Sequence, residues 1–69
     1  MARITLPPLA VNLRKFRLAA KMSKRQLADK AEVSRAAIQC FERGTYAPRI
    51  ATLRRLAEVL GVSLAELAG

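Results

Sequence analysis

Residues 23–44 read SKRQLADKAEVSRAAIQCFERG. The stretch holds two helix-start signals and one helix-stop signal. Ser23 followed by Gln26 fits a capping box, in which the hydroxyl accepts from the third amide of the helix and the carboxamide reaches back. Ser34 is of the residue type that caps a second helix. Gly44 supplies the left-handed conformation that ends it. The spacing predicts a short helix over residues 24–31, a turn at Glu32-Val33-Ser34 and a helix over residues 35–43. Two helices joined by so short a turn make a helix-turn-helix. Leu27, Ala28 and Ala31, then Val33, Ile38 and Phe41, fall at the offsets that pack such a pair. Ala28 is small enough to let the two helices cross closely.

Outward from this centre the pattern stays helical. Pro7-Pro8 closes an N-terminal arm over residues 1–8, and Pro8 suits the first turn of a helix, where its missing N–H costs nothing. Leu9, Leu13, Phe16 and Ala20 recur at spacings of three and four, which predicts a helix over residues 8–20. On the other side, residues 45–48 read as a loop. A helix starting near Arg49 presents Ile50, Leu53, Leu56, Ala57 and Leu60 on one stripe and ends at Gly61. Ser63 and Glu66 form a second capping box that opens a short fifth helix. Val, Ile and Thr are sparse, and Leu and Ala dominate, which favours helix over strand. The expected fold class is all-α: a compact five-helix domain over residues 9–69, with the helix-turn-helix in its second and third helices. A domain of this length buries only about 60% of its unfolded surface, so each apolar stripe matters.

Charge narrows the function. Thirteen Lys/Arg oppose five Asp/Glu, for a net charge of +8 and a pI near 11.2. Residues 1–49 hold eleven basic and three acidic groups, whereas residues 50–69 are neutral. A positive field confined to one part of a domain points to nucleic acid or an anionic membrane as partner. Caps and turns at every helix junction describe a globular domain rather than a membrane-surface helix. No apolar run approaches the roughly 20 residues needed to span a bilayer. The N-terminus lacks a signal-peptide core, so the expected location is the cytoplasm.

Ser34, Cys40 and Glu42 are the residues of the central stretch with chemical potential. The chain has no histidine and one cysteine. Cys–His and Ser–His–Asp catalysis therefore lack their base, and a structural zinc site lacks its ligands. No phosphate-binding glycine pattern occurs. The expectation is no catalytic residue, no metal, no cofactor and no small-molecule ligand. Ser34 reads as a cap and Cys40 as a small packing residue.

At about 100° per residue, Ala37, Ile38 and Phe41 fall on the inner side of the helix over residues 35–43. Arg35, Ala36, Gln39 and Arg43 fall on the outer side, with Cys40 at the margin. Arg pairs bidentately with guanine O6/N7, and Gln with adenine N6/N7. Alanine between them lets the helix approach base edges. Those are the groups a major-groove helix needs.

The run LRKFRLAAKMSKRQLADKAEVSRAAIQCFERGTYAPRIATLRRLAEVLGVSLAEL resembles the Cro/repressor-type (lambda repressor-like) helix-turn-helix DNA-binding family. The resemblance covers residues 9–67. Its most specific parts are S-x-x-Q-L-A at 23–28, I-x-x-F-E-R-G at 38–44, Pro48, and L-x-x-L-A-x-x-L-G-V-S-L-x-E-L at 53–67. It implies a double-stranded DNA partner and a transcriptional regulator, usually a repressor. Arg35, Ala36, Gln39 and Cys40 are then the base-reading positions. Lys24, Ser34, Arg43, Tyr46 and Arg49 lie against phosphates, together with basic groups of the first helix, and Arg3 of the arm adds a backbone or minor-groove contact. Arg17 and Glu42 match an internal ion pair of the family. Of Leu60, Val62, Leu64 and Leu67 some close the core, and a homodimer through this set would place two half-sites about 10 bp apart on a palindrome. The rival reading is an antitoxin-like or scaffold module that uses the same fold to bind protein. Two positions depart from the family pattern: Lys21 and Glu32 stand where glycine is common. A left-handed backbone at either costs on the order of 1 kcal/mol, and Glu32 brings a negative charge near the expected DNA face.

Overall fold

The computed structural model describes residues 8–69. The predicted arm, with Arg3, therefore lies outside the described residues except for Pro8. Five helices follow one another: α1 (Pro8–Ala19), α2 (Lys24–Ala31), α3 (Arg35–Arg43), α4 (Ile50–Leu60) and α5 (Leu64–Ala68). There is no strand among the described residues, and no described helix is long and apolar enough to cross a membrane.

The starts of α2 and α5 are the reciprocal boxes their sequences spell. The Gln26 amide donates to Ser23 Oγ at 3.0 Å, and the Ser23 amide donates to Gln26 Oε1 at 2.8 Å. At α5 the Glu66 amide donates to Ser63 Oγ, and the Ser63 amide to Glu66 Oε1, both at 3.0 Å. The Ser63 backbone N–H on its carboxylate holds the Glu66 carboxyl below its ordinary pKa. A lowered folded-state pKa means that this contribution is present at neutral pH and fades as acid protonates the carboxylate. Ser34 caps α3 by accepting from the Ala37 amide at 3.0 Å. Arg49 precedes α4 with no side-chain cap.

Four helix ends share one closure. After α1, α2, α3 and α4 the chain turns left-handed at Lys21 (φ 57°), Glu32 (φ 60°), Gly44 (φ 75°) and Gly61 (φ 69°). The next amide then reaches back: Met22 to Arg17 O, Val33 to Ala28 O, Thr45 to Cys40 O and Val62 to Ala57 O, at 3.0–3.1 Å. This 6→1 bond satisfies a carbonyl that the helix leaves open. Glycine does it freely at two of the ends. Lys21 and Glu32 do it with a Cβ, at a cost of about 1–2 kcal/mol each. Glycine's greater freedom in the unfolded chain offsets roughly 0.4–1 kcal/mol of any relief. Lys21→Gly and Glu32→Gly are therefore each expected to stabilise by about 0.5–1 kcal/mol. A urea titration checks this, and unchanged midpoints would mean that the turns carry no strain.

Leu13, Leu27, Ile38, Leu56 and Leu67 are fully buried and come one from each helix. Phe41, Leu53, Ala28, Ala31 and Ala57 complete the cluster. α1 packs on α3 and α5, while α2 packs on α3 and α4. Ala28 and Ala31 sit buried on α2, where their small size suits a close crossing. Asn12 ties α1 to the last helix, donating to Glu66 O and Leu67 O at 3.3 Å.

Three apolar expectations need correction. Ala20 lies past the end of α1 and is exposed; the buried stripe of that helix is Ala10, Leu13 and Arg17. The stripe is rotated because Arg17 finds a buried partner, which its sequence neighbours do not reveal. Ile50 is 57% exposed, since it opens α4 rather than lying over the core. Leu67 is fully buried and offers nothing to a second subunit. Leu60, Val62 and Leu64 are half-buried against the same cluster.

Candidate nucleic-acid interface

The cap at Ser34 and the anchors Ile38 and Phe41 set the rotation of α3. With those two residues inward, the opposite face turns out. Arg35, Ala36, Gln39, Cys40 and Arg43, with Thr45 just beyond the helix, line one open concave surface. An adjoining hollow brings Ser23, Lys24 and Arg25 beside Arg35 and Gln39. A third joins Lys24 and Gln39 to Arg43. Gln39 thus stands where all three meet, and it is half-buried.

Glu42 is the only carboxylate lining these hollows, and its charge is spent internally. Arg17 Nε donates to Glu42 Oε2 at 2.6 Å, and Nη2 donates to Oε1 at 3.1 Å. Nη1 donates to Met22 O at 2.8 Å. Both residues are 7% exposed, and no buried side-chain polar atom among the described residues lacks a partner. The bidentate pair therefore does three jobs. It binds α1 to the last turn of α3, it fixes the chain just before the Ser23 cap of α2, and it leaves a neutral floor under a basic surface. An ion pair of this geometry is directional, so it sets the register between helices as well as holding them together.

The remaining sequence candidates divide. Ser34 Oγ is occupied as a cap acceptor. Tyr46 packs edge-on against Phe41, with ring centroids 5.5 Å apart. Proximity to the Cys40 side chain raises the Tyr46 phenol above its ordinary pKa. It is therefore protonated at neutral pH and able to donate. Tyr46 and the exposed Arg49 do not line the hollows around α3. Thr45 and Arg25 do; sequence reasoning ranked Arg25 below Lys24 as a phosphate contact and gave Thr45 no role at this surface. The signal for Thr45 was its place directly after a left-handed glycine, where the chain folds back beside α3.

A family model described as helix-turn-helix matches residues 13–67. Among solved structures, the restriction-modification controller protein C.AhdI of Aeromonas hydrophila is 26% identical, with a TM-score of 0.84 over 88% of this chain and 92% of that one. SinR, the master regulator of biofilm formation from Bacillus subtilis, was solved in complex with DNA. It is 27% identical, with a TM-score of 0.84 over 88% of this chain and 98% of that one. The clp gene regulator ClgR of Corynebacterium glutamicum is 30% identical, with a TM-score of 0.84 over 88% of this chain and 65% of that one. No curated protein matches the chain.

Proposed function

The chain belongs to the Cro/repressor-type helix-turn-helix family of DNA-binding transcriptional regulators, and on that premise we propose that it is a sequence-specific repressor that inserts α3 into the major groove of an operator. One observation carries this reading: Arg35, Ala36, Gln39 and Arg43 share a concave face whose adjoining hollows hold no free carboxylate. Arg35, Ala36, Gln39 and Cys40 read base edges. Lys24 and Arg43 hold phosphates, with Ser34, Tyr46, Arg49 and Arg3 extending the grip on either side. The folding unit is residues 9–69, and the site of action is the cytoplasm. A second copy pairs through the half-buried rim of Leu60, Val62 and Leu64, which doubles the length of sequence read. Repression follows if the occupied operator excludes polymerase.

Selection of bound sequences from a random duplex pool tests the reading. The expected product is a palindrome with half-site centres about 10 bp apart. A single unrepeated half-site would remove the dimer and keep the reader. Affinity should also fall steeply with salt, since each phosphate contact releases about 0.9 counterion. A flat salt response with no enriched sequence would favour a protein-binding role for the same fold.

A further inference from the structure

The outer face of α1 carries an apolar stripe between two cations. Ala10, Leu13 and Arg17 turn into the domain. Val11 and Leu18 turn away from it and stay 50% and 53% exposed. Seven residues apart, they lie within about 20° of each other around the helix and form one stripe. Arg14 and Lys15, three and four residues after Val11, fall on either side of that stripe, and both are exposed. Arg14 borders the cleft that holds Lys24 and Arg43. On the other flank the Lys15 Nζ stands over the Phe16 ring, 5.7 Å from its centroid. α1 contains no carboxylate, and Lys21 adds a further exposed cation just past its end.

This face calls for two chemistries at once. A DNA backbone would satisfy the cations but offers little apolar surface to cover Val11 and Leu18. A second copy of the chain would set Arg14 and Lys15 against their own kind, and like charges repel at contact distance even in water. A helix with an apolar seam and acidic flanks meets both demands. Its seam covers the two aliphatic side chains, and its carboxylates pair with the cations on either side. Paired helices set their choice of partner by such flanking charges.

We propose that the outer face of α1 docks an acidic amphipathic helix of another protein, and that docking releases the chain from DNA. The docking stands on the face alone, whereas the release rests on the DNA-binding reading above. Arg14 belongs both to the flank of the stripe and to the cleft beside α3. A carboxylate paired with Arg14 takes one cation from the cleft and brings negative charge to the edge of the DNA surface. Helix and DNA therefore oppose each other, each weakening the other by the same factor.

A synthetic peptide of about three heptads, with leucine on the seam and glutamate on both flanks, is the probe. A scrambled peptide of the same composition is its control. Fluorescence anisotropy with the full chain should show the seamed peptide bound at least about tenfold more tightly than the scrambled one. Val11→Gln and Leu18→Gln should each weaken it by about five- to tenfold, the worth of one half-exposed aliphatic side chain. Both variants should keep wild-type affinity for the selected operator. The seamed peptide, added to the operator complex, should release the DNA. Equal binding of the scrambled peptide, or wild-type peptide affinity in Leu18→Gln, reduces the interaction to net charge and overturns the proposal. Failure to bind the seamed peptide at about 1 mM overturns it as well. Binding to anionic phospholipid vesicles that Leu18→Gln abolishes gives the face to a membrane instead. Peptide bound without release of the operator overturns the coupling. A wild-type chain that binds the peptide but no duplex keeps the docking and removes the DNA-binding reading.

Discussion

Glu42→Ala is expected to unfold a large fraction of the protein. Arg17 is buried, and in this variant its guanidinium keeps one carbonyl partner and loses the carboxylate. Removing one member of a buried pair costs about 3–5 kcal/mol, because the other charge stays desolvated. A chain of this length has roughly 3–10 kcal/mol of stability in all, at about 0.05–0.15 kcal/mol per residue. The loss is thus comparable with the whole. Thermal and urea melts should show a collapse of the midpoint, and DNA affinity should fall with the folded population. The double variant Arg17→Met, Glu42→Leu should recover most of the stability, since apolar residues of similar volume often replace such pairs without loss. A loss under about 1 kcal/mol for Glu42→Ala would place the pair with solvent-screened surface bridges. The double variant has a second use. If it folds but binds its operator weakly, the pair's directional geometry matters for how α3 is presented.

Arg35→Ala has the next largest expected effect, and it is on recognition. Its side chain opens α3 on the exposed face and borders two of the three hollows that meet at Gln39. A bidentate Arg–guanine contact is worth about 1–3 kcal/mol of discrimination, which is roughly 5- to 150-fold in affinity. The variant should lose that factor on its operator and accept other bases at one position of each half-site. On random duplex it should lose only the share due to one charge. Lys24→Ala is the contrast: a phosphate contact carries no sequence information, so its loss should be uniform across sequences. Competition binding against single-base operator variants measures both. Equal losses on operator and random duplex for Arg35→Ala would reassign it to the backbone.

Much of the fold could be read along the chain because its signals are local. Ser23, Ser34 and Ser63 cap the helices that follow them, since a cap needs only the three residues beyond it. Gly44 and Gly61 end helices for an equally local reason. Spacing alone separated Ile38 and Phe41 from Arg35 and Gln39, because a helix converts sequence offset into direction. The stripe of α1 was read less well. Periodicity put Ala20 in the interior, because it scores a residue by its own polarity and not by its partner's; the internal pairing of Arg17 with Glu42 came from the family resemblance, and the structure holds it. Ile50 failed for a related reason: a position at the end of a helix keeps the right angle but has nothing above it.

Composition, caps and periods determined five helices, a helix-turn-helix at their centre and a basic surface on one part of the domain. Tertiary structure decided which charges are free. It buried Arg17 against Glu42, 25 residues away. It set Lys15 over a ring and turned Arg14 into a cleft with Lys24 and Arg43. It also put Leu67 in the core, away from any partner. Charge and hydrophobicity belong to a residue and can be read in order. Neutralisation, burial and shared space belong to pairs, and only the packed chain determines which pairs form.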